Sequence, residues 1–218
     1  MKGFGTNEQV LIQILSQRDP IQINLIRDAF THRLRRNLEA DLKSETRGYF
    51  ETGLVALCRG PLIQDCHVLH DAMKGVGTRE TELNDVLLSR SNADMAAIKS
   101  TYHQLFHRSL ESDLRGDLSM KTERHFMIVI GANRAEDSAP IIPQQIDQDV
   151  LEIYKATEGK MGTDEIQVCS IMSLRNDNQI RAIAQVYEQK YRKPLERVLE
   201  GVSSSIFHMS TVHFTNIK

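Results

Sequence analysis

The chain has 218 residues, with 27 Lys and Arg against 29 Asp and Glu and a formal net charge of −2. This length can bury a sizeable core, and 40% apolar with 26% charged residues is typical of a globular protein. The balanced charge gives no reason to expect nucleic-acid binding, which requires a concentrated basic surface. No run approaches the ~18 consecutive apolar residues that span a bilayer, and the first residues lack the apolar segment of a signal peptide. We therefore expect a cytoplasmic chain.

The cysteines support the same expectation. Cys58, Cys66 and Cys169 are odd in number and scattered along the chain. They form neither a CxxC motif nor a cluster with histidines, so the sequence predicts neither a disulfide framework nor a zinc site. We expect buried, free thiols in a reducing compartment.

A glycine-rich motif begins the chain and returns twice. Residues 1–6 are Met-Lys-Gly-Phe-Gly-Thr, residues 73–78 are Met-Lys-Gly-Val-Gly-Thr, and residues 159–163 repeat the motif weakly as Gly-Lys-Met-Gly-Thr. Glu45 lies forty positions after Gly5, and Asp117 lies forty positions after Gly77. A tight glycine loop exposes backbone carbonyl oxygens, and a distal carboxylate can complete a cage of oxygen ligands, which suits Ca²⁺. The repeat therefore indicates calcium.

Helical periodicity follows the first loop. One apolar stripe is followed by Asp19-Pro20, where proline ends the first helix, and a second stripe predicts a longer helix. A short helix around Leu38 and another over residues 49–57 complete the unit. The first stripe comprises Val10, Leu11, Ile14 and Leu15; the second comprises Ile21, Leu25, Ile26 and Phe30.

The same plan recurs downstream in register. Leu38 corresponds to Leu110 at an offset of 72, and Leu110 to Leu195 at an offset of 85. The longer second offset reflects a connection that contains Pro140 and Pro143. Helix follows helix with no strand-like alternation, so the sequence predicts an all-α fold of repeated units.

We divide the chain accordingly. Residues 1–58 form a first unit without a counterpart of the helix that precedes the glycine loop in the second unit. Residues 59–131 form the second unit, 132–149 a linker and 150–201 the third unit. Residues 202–218 no longer resemble a repeat and are expected to be a divergent tail.

These motifs together resemble the annexin family, and their sequence is most similar to its fungal members. The resemblance depends on Met-Lys-Gly-x-Gly-Thr followed by a distal acid, in units of about 70 residues, and it covers roughly residues 1–200. It implies a right-handed superhelix of five-helix repeats, normally four in number, with calcium loops on a convex face that binds anionic phospholipid. By this comparison the chain holds about three of four repeats and is incomplete at both ends.

The resemblance also implies the ligands of two calcium sites. Each site would use three backbone carbonyl oxygens of a glycine loop and the carboxylate of the distal acid. The implied ligands are Met1, Gly3, Gly5 and Glu45 in the first site, and Met73, Gly75, Gly77 and Asp117 in the second.

The third loop departs from this pattern. Gly162 is in register, but the position forty residues later is Val202, which offers no carboxylate. Glu200 lies two positions earlier and is the nearest acid that could replace it. We expect this third site to be weak or absent.

A structural interpretation competes with calcium binding at each loop. Thr6, Thr78 and Thr163 are suitable N-cap residues for the following helices, so each loop taken singly could be a helix cap. Glu8 and its counterparts fall in first helical turns, where the helix dipole favours acids. The distal acid in two registered copies favours calcium over a cap.

The resemblance and the paired acids together predict calcium-dependent, peripheral binding to anionic phospholipid membranes. No nucleophile–base arrangement, phosphate-binding loop or EF-hand loop occurs in the sequence, so we expect no enzymatic activity. The alternative is a calcium-independent helical scaffold that binds protein partners, which the degraded third site favours.

Overall fold

The computed structural model describes residues 5–75, 77–118, 120–159 and 162–200, without the side chains of Asp117 and Met120. This part of the chain is α-helical and contains no strand, which confirms the all-α prediction. Its helices are α1 (Glu8–Leu15), α2 (Pro20–Leu34), α3 (Leu38–Glu45), α4 (Gly48–Ala72), α5 (Glu80–Leu87), α6 (Asn92–Phe106), α7 (Leu110–Asp117), α8 (Met120–Ile130), α9 (Pro143–Thr157), α10 (Glu165–Leu174), α11 (Asp177–Tyr191) and α12 (Leu195–Glu200).

The helix boundaries repeat with the offsets of the sequence. Helices α1, α2 and α3 recur 72 positions later as α5, α6 and α7, and α11 follows α6 at an offset of 85. The corresponding helices α2, α6 and α11 each begin with a capping box and end at a residue in the left-handed conformation. The N-caps are Asp19, Ser91 and Asn176, and the C-caps are Arg35, His107 and Arg192.

Helix α4 serves two units. It spans Gly48–Ala72, but two helical halves meet at a kink, where Gly60 has φ 74° and ψ 169° and precedes Pro61. Proline restricts the residue before it and lacks an N–H donor, and glycine accepts the resulting conformation without a Cβ clash. The kink separates a first half that closes the first unit from a second half that leads into the second glycine loop.

Each unit has its own apolar core. The core of the first unit centres on Leu42 and Cys58, that of the second on Leu83 and Tyr102, and that of the third on Tyr187. The first and third cores each gather buried side chains from four helices, and the second core from five, α4 to α8. The units are therefore packed modules that repeat along the chain.

The apolar stripes of the first unit are buried only in part. Ile21 is 73% exposed and Leu25 63% exposed, whereas Ile23 between them is 2% exposed. Ile14 is 42% exposed, and its counterpart Val86 only 5%. In the second unit, α4 packs against α5 and α6. No helix among the described residues covers the equivalent side of α1 and α2.

The connection between the second and third units is shorter than the linker assigned from sequence. Helix α9 begins at Pro143, which occupies its first turn, where a missing N–H costs nothing. The non-helical connection therefore spans residues 131–142. The N–H of Ala135 donates to the Leu174 carbonyl oxygen at 2.8 Å, which ties the connection to α10.

All three cysteines are free and buried, as expected. Burial raises the pKa of Cys66 to about 11 and that of Cys169 to about 12, so both thiols stay protonated near neutral pH. No helix in the described ranges is both long enough and apolar enough to cross a membrane.

Candidate metal centre

The first glycine loop meets its distal acid. Gly5 has φ 90°, a conformation that favours glycine. The adjacent Thr6 hydroxyl lies 2.6 Å from Glu45 Oε2, to which it donates, and 3.1 Å from the Glu45 carbonyl oxygen. The tertiary fold thus brings together two residues that are thirty-nine positions apart in the sequence. Met1 and Gly3, the remaining implied ligands, lie outside the described residues.

The N-cap interpretation of the loop threonines is wrong. The helices begin one residue later than that interpretation requires, and their N-caps are Asn7, Arg79 and Asp164. The Thr6 hydroxyl bonds to Glu45 and not to a backbone N–H of α1. The role of Thr6 is therefore to contact the distal acid.

The second loop has two glycines in the left-handed region. Gly75 has φ 107° and Gly77 has φ 84°, and a Cβ at either position would meet no atom within 4 Å. Only the backbone conformation therefore demands glycine there. The N–H of Arg79 donates to the Ala72 carbonyl oxygen at 3.0 Å, closing a loop of seven positions.

A cleft separates this second loop from the end of α7. Met73 and Lys74 of the loop line one side, and Gly116 of α7 lines another. Asp117 is the next residue and the last of α7. The main chain thus brings the second predicted acid to the edge of the cleft, although its side chain lies outside the described set.

A neighbouring acid in α7 is already engaged. The Tyr102 hydroxyl donates to Asp113 Oδ2 at 2.7 Å, and Arg108 Nε lies 2.7 Å from Asp113 Oδ1. Burial and the hydrogen bond to Asp113 raise the pKa of Tyr102, so its hydroxyl stays a donor. In the first unit, Asp41 pairs with Arg36 in the same register. Sequence reasoning missed these structural pairs, which lie one helical turn before the predicted ligands.

The third loop is built differently. Gly162 has φ 92°, but the loop closes from the Asp164 N–H to the Ala156 carbonyl oxygen at 2.8 Å, over eight positions. The loop is therefore one residue longer than the second. Val202, the position of the missing acid, lies outside the described residues, and Glu200 ends α12.

An internal ion pair also distinguishes the third loop. The Glu158 carboxylate pairs with the Lys193 ammonium and accepts a hydrogen bond from the Tyr187 hydroxyl at 3.1 Å. The hydrogen bond from Lys193 lowers the pKa of Glu158. Val198 stands in register with Asp113, so the loop acid Glu158 takes over the contacts that Asp113 makes in the second unit.

A contact between α8 and α10 connects the second unit to the third. Lys121 Nζ, four residues after Asp117, lies 3.5 Å from Oε2 of Glu165, three residues after Gly162. This contact joins the start of α8 to the start of α10.

The donor set suits Ca²⁺ better than a transition metal. No group of three or more His, Cys, Asp and Glu side chains lies together within the described ranges. Each predicted site has one carboxylate and depends otherwise on carbonyl oxygens, as in the first loop, where Gly5 adjoins the Thr6–Glu45 contact. Carbonyl and carboxylate oxygens in irregular arrangements are ligands that Ca²⁺ accepts.

Comparison with known proteins gives consistent matches. The Annexin family model matches residues 1–57, 64–129 and 148–209. Annexin C1 of Cryptococcus neoformans var. grubii is 36% identical over 214 residues, which cover 98% of this chain and 45% of that protein. Human annexin A13 is 37% identical over 203 residues, covering 93% of this chain and 64% of that protein. The structure of annexin III superposes with a TM-score of 0.92 at 28% identity, covering 99% of this chain and 67% of that one. This chain therefore spans about half to two thirds of the length of these relatives.

Proposed function

Because the chain belongs to the annexin family, we propose that it binds anionic phospholipid membranes in a calcium-dependent manner. The observation that best supports this proposal is the contact between the first glycine loop and Glu45, made through Thr6 at 2.6 Å. A loop that acted only as a helix cap would have no need of an acid from a distant helix.

The site chemistry explains how calcium would connect protein and lipid. Three carbonyl oxygens and one bidentate carboxylate leave one to three of the six to eight coordination positions of Ca²⁺ open. Phosphoryl oxygens of an anionic headgroup can fill those positions, so the ion is shared. Since neither surface alone completes the site, lipid and calcium must each raise the affinity for the other.

In this proposal the chain is a peripheral membrane protein of the cytoplasm, and it carries out no catalytic step. Met1, Gly3, Gly5 and Glu45 supply the first site. Met73, Gly75, Gly77 and Asp117 supply the second. The third loop supplies none, because Val202 stands where its distal acid would be and the loop acid Glu158 is paired with Lys193.

Vesicle co-sedimentation tests the proposal. The protein should sediment with phosphatidylserine vesicles in calcium and stay in solution with a chelator. Glu45→Gln and Asp117→Asn each remove the charge of one site while keeping its size, so each should weaken sedimentation and the double variant should nearly abolish it. Glu188→Gln is a matched control, because Glu188 is an exposed acid of α11, outside both sites.

Calorimetric titration with lipid present should count two calcium ions per chain. Three ions would show that Glu200 or another ligand completes the third loop. Sedimentation that does not depend on calcium, or that survives in the double variant, would support the alternative scaffold function.

A further inference from the structure

A short segment follows Glu45, the distal acid of the first predicted calcium site, and carries two exposed side chains. Thr46 is the C-cap of α3, Arg47 is the N-cap of α4, and Tyr49 lies in the first turn of α4. Tyr49 is 98% exposed, and Arg47 is also exposed. Neither side chain has a hydrogen-bond or ion-pair partner among the described residues.

The backbone of this segment is fixed by its conformation and by the packing of α4. Gly48 has φ 62°, a left-handed conformation that turns the chain between α3 and α4. Arg47 makes no side-chain capping hydrogen bond, so its guanidinium is not required to start α4. Phe50, the next aromatic residue, packs on the core of the first unit, and α4 is therefore fixed while Tyr49 faces solvent.

The second unit differs at the same register position. Lys121 corresponds to Tyr49, and its ammonium lies 3.5 Å from Glu165 of the third unit. The second unit thus uses this position for a contact between units. The first unit instead presents an aromatic ring to solvent.

Proximity relates this segment to the first calcium site. Consecutive Cα atoms are about 3.8 Å apart, so Arg47 lies within about 8 Å of Glu45 along the backbone, and Tyr49 within about 15 Å. A membrane that completes a calcium site at Glu45 would therefore be close to both side chains. A phenol ring combines an apolar body with a polar hydroxyl, which suits the boundary between headgroups and acyl chains. A guanidinium presents a planar set of donors that matches phosphate oxygens.

We infer that Arg47 and Tyr49 form a second lipid contact that adjoins the first calcium site and needs no calcium ligand of its own. Arg47 binds a headgroup phosphate, and the Tyr49 ring enters the interfacial layer of the anionic membrane. The inference rests on the proposed function, since calcium at Glu45 brings the segment to the bilayer.

The absence of tryptophan from the chain allows a direct test. In Tyr49→Trp the new indole is the single tryptophan, and its emission should shift to shorter wavelength with phosphatidylserine vesicles and calcium. Lipids brominated in the acyl chain should quench it. Leu34→Trp is the matched control, because Leu34 is 56% exposed at the end of α2, four residues before α3 begins, whereas Glu45 is at the far end of α3; it should show no shift. Sedimentation of the same samples reports binding independently.

Removing the side chains tests the contribution to affinity. Tyr49→Ala loses the burial of one aromatic ring, and Arg47→Ala loses one phosphate contact, so each should weaken calcium-dependent vesicle binding by about tenfold at most. Circular dichroism checks that each variant folds. Sedimentation with unchanged emission and unchanged affinity would overturn the inference and leave the proposed function intact. Absence of sedimentation by the parent chain would overturn both.

Discussion

At the scale of single residues, His125 is the polar group least suited to its surroundings. The side chain is 1% exposed, and neither ring nitrogen has a hydrogen-bond partner among the described residues. Burial disfavours the charged imidazolium and lowers the pKa of His125 to about 4. The histidine is therefore neutral in the folded protein at neutral pH.

His125 should make the stability of the fold depend on pH. Its folded pKa lies below the ordinary value of 6.5, so between pH 6.5 and about 4 the unfolded chain binds a proton that the folded chain does not. The free energy of unfolding should fall as pH falls through this window, by at most about 1.4 kcal/mol per pH unit, and this contribution should be constant below it.

Urea denaturation of the parent and of His125→Leu at several pH values isolates this effect. The variant has no imidazole, so it should lose less stability than the parent between pH 6.5 and 4. Carboxylates such as Glu39, whose pKa is lowered to about 2, affect both proteins equally, and mainly below pH 4.5. Parallel pH curves for the two proteins would contradict the assignment.

At the scale of helices, capping boxes begin α2, α6 and α11, but the N-cap residues of these boxes differ in their surroundings. Ser91 is an exposed cap that bonds only within its own box, through the Asp94 N–H at 3.1 Å. Asn176 is fully buried, and its Nδ2 also donates to the Glu136 carbonyl oxygen at 2.8 Å. The second contact fastens the connection between units to α11.

Asn176→Ala should therefore destabilise the protein more than Ser91→Ala. Loss of an ordinary cap costs about 1 kcal/mol. Loss of Asn176 also removes its hydrogen bond to the Glu136 carbonyl oxygen, which keeps only the Ala139 N–H as a donor, and the total should reach about 2 kcal/mol. Urea midpoints of the two variants measure the difference. Equal losses would mean that the Glu136 contact contributes no stability.

At the scale of the whole molecule, the three units share a plan but not the same protection from solvent. The guanidinium of Arg90 binds the Asp65 carboxylate through two contacts of 2.6 and 2.8 Å, and Arg175 binds Asp149 at 2.6 and 2.9 Å. Arg18 stands in the same register, and within the described ranges it meets no carboxylate, only the Gln17 carbonyl oxygen at 3.4 Å.

The first unit should consequently open most readily. Helices α2, α6 and α11 have equal lengths, capping boxes and left-handed ends. They differ mainly in tertiary cover, which makes them internal controls for one another. Amide hydrogens of α2 should exchange faster than those of α6 and α11, because local opening exposes fewer buried contacts. Equal exchange in the three helices would show that the uncovered side of the first unit does not affect its stability.

Much of this architecture follows from the sequence alone. The glycine motif, the offsets of 72 and 85, and the proline and glycine signals predict the units and their helices, because each is a local constraint on backbone conformation. The distance from Gly5 to Glu45 also follows from the sequence, once the motif is seen to recur. It identified the acid that the structure places beside the first loop.

The tertiary structure decided which of several equivalent candidates is used. The spacing of apolar residues along α2 cannot by itself tell that Ile23 is buried while Ile21 and Leu25 are exposed. Burial depends on which neighbouring helix covers each side of α2. Threonine at position 6 suits either a helix cap or an acid partner, and only the position of α3 makes Glu45 its acceptor. The pairing of Glu158 with Lys193 is set in the same way, because it joins side chains just beyond the ends of α9 and α11, thirty-five residues apart.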